Sequence, residues 1–343
     1  MSLEFLIAGA IFASLVFYAL TGGADFGAGI WNIFLSGKHA KEQADLVQEA
    51  IQPIWEADHV WLILLVTVLF TAFPPVFSFI CIALNIPLFI ALLGIILRGS
   101  AFVFRKHDEE SLAVQSRWSI IFSIGSVITP LAYGMALGAI SSGQMQSMPV
   151  QSELAYLQPC LSPYGLSLGF FILTVFSMEA ATYLAVDADG NDALQNEFRK
   201  RALINEAVLV IVGLLVLLVA WKTNVWLWQV AVNRKEQAIL TGLAFFASSI
   251  FLTSSLLLKR FKLARVLVAV QTICIVAGFA VTQYPYLIPP HFSIYNSAAP
   301  AVVLQLLLYA LIAGALTLFP SLFLLYRIFK GPGKLSTTGT ESE

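Results

Sequence analysis

The sequence predicts an all-α polytopic membrane protein with nine transmembrane helices. Three observations carry that expectation. Of 343 residues, 59% are hydrophobic and only 11% charged, with a mean hydropathy of +0.84, whereas a soluble globular chain has about 25% charged residues. The apolar residues fall into nine runs, each meeting the roughly 20 residues a helix needs to cross the hydrocarbon core. The Lys and Arg residues gather in alternate connections between those runs, as in a chain threaded through a membrane.

The first span is expected over Glu4 to Phe34, where an apolar run from Phe5 to Leu20 continues through Thr21-Gly22-Gly23-Ala24-Asp25-Phe26-Gly27-Ala28-Gly29. Met1 to Glu4 lacks the basic segment of a cleaved signal peptide, so this run reads as a retained helix. A polar linker, Ser36 to Glu49, leads to the second span, Ala50 to Ala72, and Phe73-Pro74-Pro75 turns the chain into the third, Val76 to Gly99. A charged loop, Arg105 to Arg117, precedes the fourth span, Trp118 to Ile140, and a loop without Lys or Arg follows it to Pro163. The remaining spans are Tyr164 to Val186, Leu203 to Trp221, Ala238 to Leu258, Leu263 to Gln283 and Ala301 to Phe329, with a Pro- and aromatic-rich loop at Tyr284 to Pro300.

Numbering the connections from an outside N-terminus puts sixteen of the nineteen Lys and Arg residues inside, leaving only Lys222, Arg234 and Lys235 outside. The positive-inside rule therefore places the N-terminus outside and the C-terminus, with its tail 330–343, in the cytoplasm. In this orientation Asp25, Glu56, Asp58, His59, Arg98 and Glu179 all fall in the cytoplasmic part of the membrane, from four different spans.

The densest of these groups is Pro53-Ile54-Trp55-Glu56-Ala57-Asp58-His59-Val60-Trp61. Pro53 suits a first helical turn, where its missing N–H costs nothing. Glu56 and His59 stand three apart and share a face; Asp58 is turned about 200° from Glu56 at roughly 100° per residue. Two readings stand: a solvated helix start with acids at the N-terminal dipole and Trp55 and Trp61 as interfacial anchors, or a proton uptake site of carboxylates and an imidazole. For Arg98 the alternatives are a counter-charge to these acids or an inside-facing anchor. For Glu179 they are an interhelical hydrogen bond or a further proton carrier. Gly22, Gly23, Gly27 and Gly29 are explained by close helix packing, which leaves Asp25 among them unexplained. The basic turn Lys259-Arg260-Phe261-Lys262 reads as a topology signal.

Several functions lack support. A net charge of −1 suggests no nucleic-acid partner. Cys81, Cys160 and Cys274 stand far apart with no CxxC; Cys81 and Cys274 lie inside apolar runs and read as small packing residues, not as a disulfide framework. Of four histidines, His39, His107 and His291 fall in loops, which leaves His59 alone near a helix and gives a haem no ligand set in this chain. No nucleotide-binding loop or metal-hydrolase motif occurs.

Thr21 to Gly27, Pro53 to Ile63, Leu97-Arg98-Gly99-Ser100-Ala101-Phe102-Val103-Phe104-Arg105 and Tyr284-Pro285-Tyr286-Leu287-Ile288-Pro289-Pro290 together resemble subunit II of the bacterial cytochrome bd-type quinol oxidases. The four motifs occur in the same order and the resemblance covers nearly the whole chain. It implies two four-helix bundles, residues 1–140 and 161–283, with a peripheral ninth helix, 301–329. It implies a heterodimer in the bacterial cytoplasmic membrane that oxidises quinol and reduces dioxygen to water, with haem b, haem d and the quinol site in subunit I. Some members of the family carry a structural quinone in this subunit, and some complexes a small single-helix accessory subunit. By motif position Glu56 matches the family's acidic proton-path residue, Asp25 its acid in the first helix and Arg98 its basic residue closing the third. The family often has an acid two residues before the second arginine of the third motif, where this chain has Val103; a path using that acid would be rerouted here, with Glu179 as the substitute. A secondary transporter with a midplane site and a scaffold subunit without a proton role are the competing readings.

Overall fold

The structure, a computed structural model, describes residues 2–35, 39–51, 55–107, 112–145 and 154–330; the side chains at 55, 56, 106, 107, 112, 113, 154–156, 326, 329 and 330 lie outside that description. Thirteen α-helices make up nearly all of the described chain: α1 (Leu3–Trp31), α2 (Ala40–Ile51), α3 (Trp55–Ala72), α4 (Pro74–Ala83), α5 (Asn85–His107), α6 (Leu112–Ser142), α7 (Leu154–Leu161), α8 (Pro163–Asp187), α9 (Asp192–Thr223), α10 (Trp226–Asn233), α11 (Lys235–Leu257), α12 (Phe261–Gln283) and α13 (Ala301–Lys330). One antiparallel pair, β1 (Tyr286–Ile288) with β2 (Phe292–Ser293), lies between α12 and α13. Among the described residues eight helices are long and apolar enough to cross a membrane, or nine if α3 and α4 count as one broken span.

Local chemistry explains where the helices depart from the expected spans. The linker expected from Ser36 to Glu49 contains α2, because Gln43, Val47 and Ile51 recur every four residues and are buried as one face. The apolar run from Val76 to Gly99 is not one helix. Pro74 and Pro75 start α4, which bends 118° away from α3, and Pro87, which lacks the N–H that would bond back to Ala83, falls just after the break at Leu84. The helix expected from Leu203 starts at Asp192 instead, where Asn191 accepts a hydrogen bond from the Leu194 N–H at 3.2 Å. Similarly, Ser162 caps α8 by accepting from the Gly165 N–H at 3.0 Å, with Pro163 at the first helical position.

α1 is the helix most surrounded by others: it packs against α3, α6, α8, α12 and α13. α5 lies along α6, α8 along both α6 and α9, and α11 along α12. α13 touches mainly α3 and α1 and turns large apolar side chains such as Leu306, Leu316 and Phe323 outward, as a lipid-facing helix would. The proline-rich loop closes over the α3–α4 corner, where the Ala299 N–H donates to the Ala72 carbonyl at 2.8 Å and Phe292 packs on Phe79.

The glycine face of α1 does what close packing requires. A Cβ on Gly27 would run into the Phe176 carbonyl oxygen of α8 and the Ala180 methyl, so the two backbones meet only because position 27 lacks a side chain. Overpacking a tight contact costs about 1–3 kcal/mol. Gly27→Ala should therefore lower the thermal unfolding midpoint of the detergent-solubilised protein, while Gly9→Ala, where a Cβ meets nothing within 4 Å, should not.

Candidate functional site

The polar residues of α1, α3, α5 and α6 converge. Asp25 and Arg98 are 4% and 3% exposed, and the Arg98 Nη2 donates to Asp25 Oδ2 at 2.9 Å. The guanidinium also lies over the rings of Phe26 at 4.9 Å and Phe122 at 5.2 Å, so its charge is answered by a carboxylate on one side and aromatic faces on the others. Asp58, on α3, is 1% exposed. His59 beside it meets the ring of Tyr18 edge-on at 6.3 Å. The Tyr18 hydroxyl hydrogen-bonds to that of Tyr133 on α6 at 3.3 Å, and Tyr18 stands within electrostatic reach of both Arg98 and Asp58. Asp25 and Arg98 thus form a buried ion pair, and the buried Asp58 and half-buried His59 lie on α3, which packs against α1, with Tyr18 meeting the His59 ring. Backbone position 56 lies in the first turn of α3, but the Glu56 side chain lies outside the described residues.

Glu179 belongs to a different neighbourhood. It is fully buried on α8, and its Oε2 is 2.6 Å from where a Cβ on Gly23 would be. Thr272 of α12 is its facing hydroxyl, yet neither carboxylate oxygen has a partner that meets hydrogen-bond geometry among the described residues. Because positions 23 and 25 are about 200° apart on a helix, Gly23 presents α1 to Glu179 while Asp25 faces Arg98. The two acids lie on either side of α1. Val103, where an acid would continue the family's path, is exposed on α5.

Trp61, one of the two expected interfacial anchors, is instead 5% exposed, stacked on Phe17 at 4.3 Å and tilted against Phe319. Trp55 has its side chain outside the described residues. Sequence reasoning also missed Tyr18, although it precedes Asp25 by seven residues and so shares its face. It missed Glu206 on α9, which is 3% exposed and accepts from Gln271 Nε2 at 2.8 Å, the same nitrogen donating to Ser249 Oγ at 2.8 Å. A helix expected to begin at Leu203 makes Glu206 an end residue; one that begins at Asp192 puts it deep inside.

A profile of the family described as cytochrome bd terminal oxidase subunit II matches residues 3–329. The chain belongs to that family. A provisionally named cytochrome bd menaquinol oxidase subunit II of Bacillus subtilis (strain 168) is 25% identical over 96% of each chain. Cytochrome bd-I ubiquinol oxidase subunit 2 of Escherichia coli (strain K12) is 29% identical over 57% of this chain and 51% of its own length. The structure of bd oxidase from Geobacillus thermodenitrificans shares the fold, with a TM-score of 0.73 at 22% identity over 97% of this chain and 100% of that one.

The chain is accordingly a multi-pass protein of the bacterial cytoplasmic membrane and a subunit of an oxidoreductase complex, with the family's haems in the partner subunit. Among the described residues no three His, Cys, Asp or Glu side chains gather as a metal ligand set.

Removing one partner of a buried ion pair strands the other charge, at about 3–5 kcal/mol, whereas replacing both with apolar groups is far milder. Arg98→Met alone should sharply reduce the amount of complex recovered from membranes. The double substitution Asp25→Leu with Arg98→Met should restore most of it. Equal losses in both would show that the pair is not the stabilising unit.

Proposed function

We propose that this chain stabilises the haem-bearing subunit I of a bd-type quinol oxidase and lines the route by which protons reach the site of dioxygen reduction from the cytoplasm. The observation that carries the reading is the buried Asp25–Arg98 pair, with the buried Asp58 and half-buried His59 on the adjoining α3 and Tyr18 against His59. Ionisable side chains are expensive inside a membrane and mark proton relays, and carboxylates with an imidazole exchange protons near neutral pH. Glu56, in the same helical turn as Asp58 and His59, is assigned as the principal carrier. Asp25, Asp58 and His59 hold and pass protons behind it, Arg98 supplies the compensating charge, and Glu179 stands in for the acid absent at Val103.

The N-terminus is assigned to the outside and the C-terminus to the cytoplasm, on the distribution of Lys and Arg. With that orientation the cluster lies in the half of the membrane nearer the side from which protons are drawn. α1, α3, α5 and α6 are read as one four-helix bundle, α8, α9, α11 and α12 as a second and α13 as peripheral; α5 with α6, α8 with α9 and α11 with α12 pack within these groups, and α8 packs against α1 and α6 across them. Quinol and dioxygen are the substrates of the complex, and haem b and haem d in subunit I supply its electron-transfer and oxygen chemistry. A structural quinone and a small single-helix accessory subunit are assigned on family resemblance alone.

Oxygen consumption by the co-expressed complex, with haem content recorded in parallel, tests the assignment. Glu56→Gln keeps the size of the side chain and removes its exchangeable proton, so turnover should fall by at least about tenfold, in the range that loss of a proton-transfer group produces, while the haems remain. Unchanged turnover would remove the proton role assigned to Glu56.

A further inference from the structure

Glu179 lies against the Gly23 face of α1, away from Asp25; it is fully buried, and neither oxygen has a partner that meets hydrogen-bond geometry among the described residues. The seam between α8 and α12 leads from it to a cavity. On α8, Glu179, Tyr183 and Val186 lie at i, i+4 and i+7; on α12, Phe261, Arg265, Val268 and Thr272 form the matching stripe. The cavity, about 570 Å³, opens where the α8–α9 and α11–α12 connections meet and is walled by Val186, Asp189, Leu263 and the three cations Lys259, Arg260 and Lys262, among others. Val186 lies seven residues from Glu179, roughly 10 Å along the helix. Between the two stands one polar barrier: Arg265 Nη2 donates to Asp187 Oδ1 and, at 3.3 Å, to the Tyr183 carbonyl, and its guanidinium lies over the Tyr183 ring at 5.3 Å. Beyond it come the buried Val268 and then Thr272 with Glu179.

We propose that the α8–α12 seam is a second cytoplasmic proton inlet, separate from the one at Glu56, which fills from the cavity at Asp189 and ends at Glu179, with the Arg265–Asp187 pair as its closure. The inference rests on the proton-uptake function and orientation proposed above. A hydronium ion entering from the cytoplasm gives its proton to the Glu179 carboxylate and leaves as water, and the neutral acid then passes the proton past Gly23 towards the dioxygen-reducing site in the partner subunit, returning to carboxylate. Arg265 keeps its charge throughout and acts as a positioning residue. Gly23 lets Glu179 reach the flank of α1, the helix that carries Asp25 on its other side. The arrangement gives this chain, which has Val103 in place of an acid, a carboxylate with its own supply.

The test uses the assembled two-subunit oxidase in proteoliposomes, with Cys81→Ser and Cys274→Ser as the background and Leu263→Cys in the cavity wall. Leu263 is 44% exposed and open to reagent. Oxygen consumption and proton uptake are compared on the same sample before and after labelling with a bulky methanethiosulfonate, then after its removal by thiol. A severalfold fall in both rates on labelling, reversed on removal, is expected, and labelling should add nothing in a Glu179→Gln background. Unchanged rates in the labelled sample overturn the inlet, as does an equal fall with and without Glu179. If Glu56→Gln stops turnover while the label has no effect, the inlet alone fails; if neither has an effect, the proton-uptake function fails with it.

Discussion

An ion pair placed where water is scarce constrains the rest of this molecule. Asp25 and Arg98 come from helices far apart in sequence, and each is almost completely buried. Neither charge is tolerable alone in an apolar medium, so the two hold α1 and α5 at a fixed distance and rotation. Phe26 and Phe122 present ring faces to the guanidinium and keep other polar groups away from it. Once α1 is fixed this way its opposite face is fixed too, and that face is the glycine surface on which the α8 backbone rests. A charge interaction on one side and the absence of side chains on the other are two halves of one design.

α1 consequently divides two acidic neighbourhoods. On the α3–α5–α6 side Asp25 is paired with Arg98, and Tyr18 bonds to Tyr133 and meets the His59 ring. On the α8–α12 side Asp187 is paired with Arg265, while the two deeper acids, Glu179 and Glu206, face no cation among the described residues. Gln271 and Thr272, adjacent on α12, each face one of them: Gln271 donates to Glu206, and Thr272 faces Glu179. Buried polar groups of this kind are costly unless partnered, and α12 offers those carboxylates amide and hydroxyl groups rather than a cation. The two sides therefore differ in kind: a compensated, charge-rich centre against neutral partners around lone carboxyl groups.

Much of this was legible in the sequence. Apolar runs fixed the membrane class, and Asp25, Asp58, His59, Arg98 and Glu179 stand out because carboxylates, imidazole and guanidinium are conspicuous in such runs. What escaped depends on signals that hydropathy does not carry. Tyr18 is apolar enough to vanish into its run, and only the seven-residue step to Asp25 marks its role. The break at Leu84 arises from proline positions inside a continuous apolar stretch. α2 reads as a polar linker because just one residue in four is buried. The early start of α9 is set by a cap at Asn191, outside the apolar run, and it changes Glu206 from an end residue into a deep one. That Glu179 and Asp25 lie on opposite sides of one helix follows from which face each neighbour occupies, which spacing alone does not give.

The central claim is that the buried centre at Asp25 moves protons rather than merely holding helices together. The most direct measurement is electrometric: the complex is reconstituted in vesicles, fully reduced and exposed to an oxygen pulse, and the rise of membrane potential is followed beside haem oxidation for wild type and Asp25→Asn. Asn retains the shape and an oxygen acceptor for Arg98 but cannot exchange a proton. The account predicts that haem oxidation begins normally while the slower, proton-coupled phase of charge movement is delayed severalfold. Identical charge movement in both proteins, with the haems intact, would contradict it and leave the ion pair a purely structural bond.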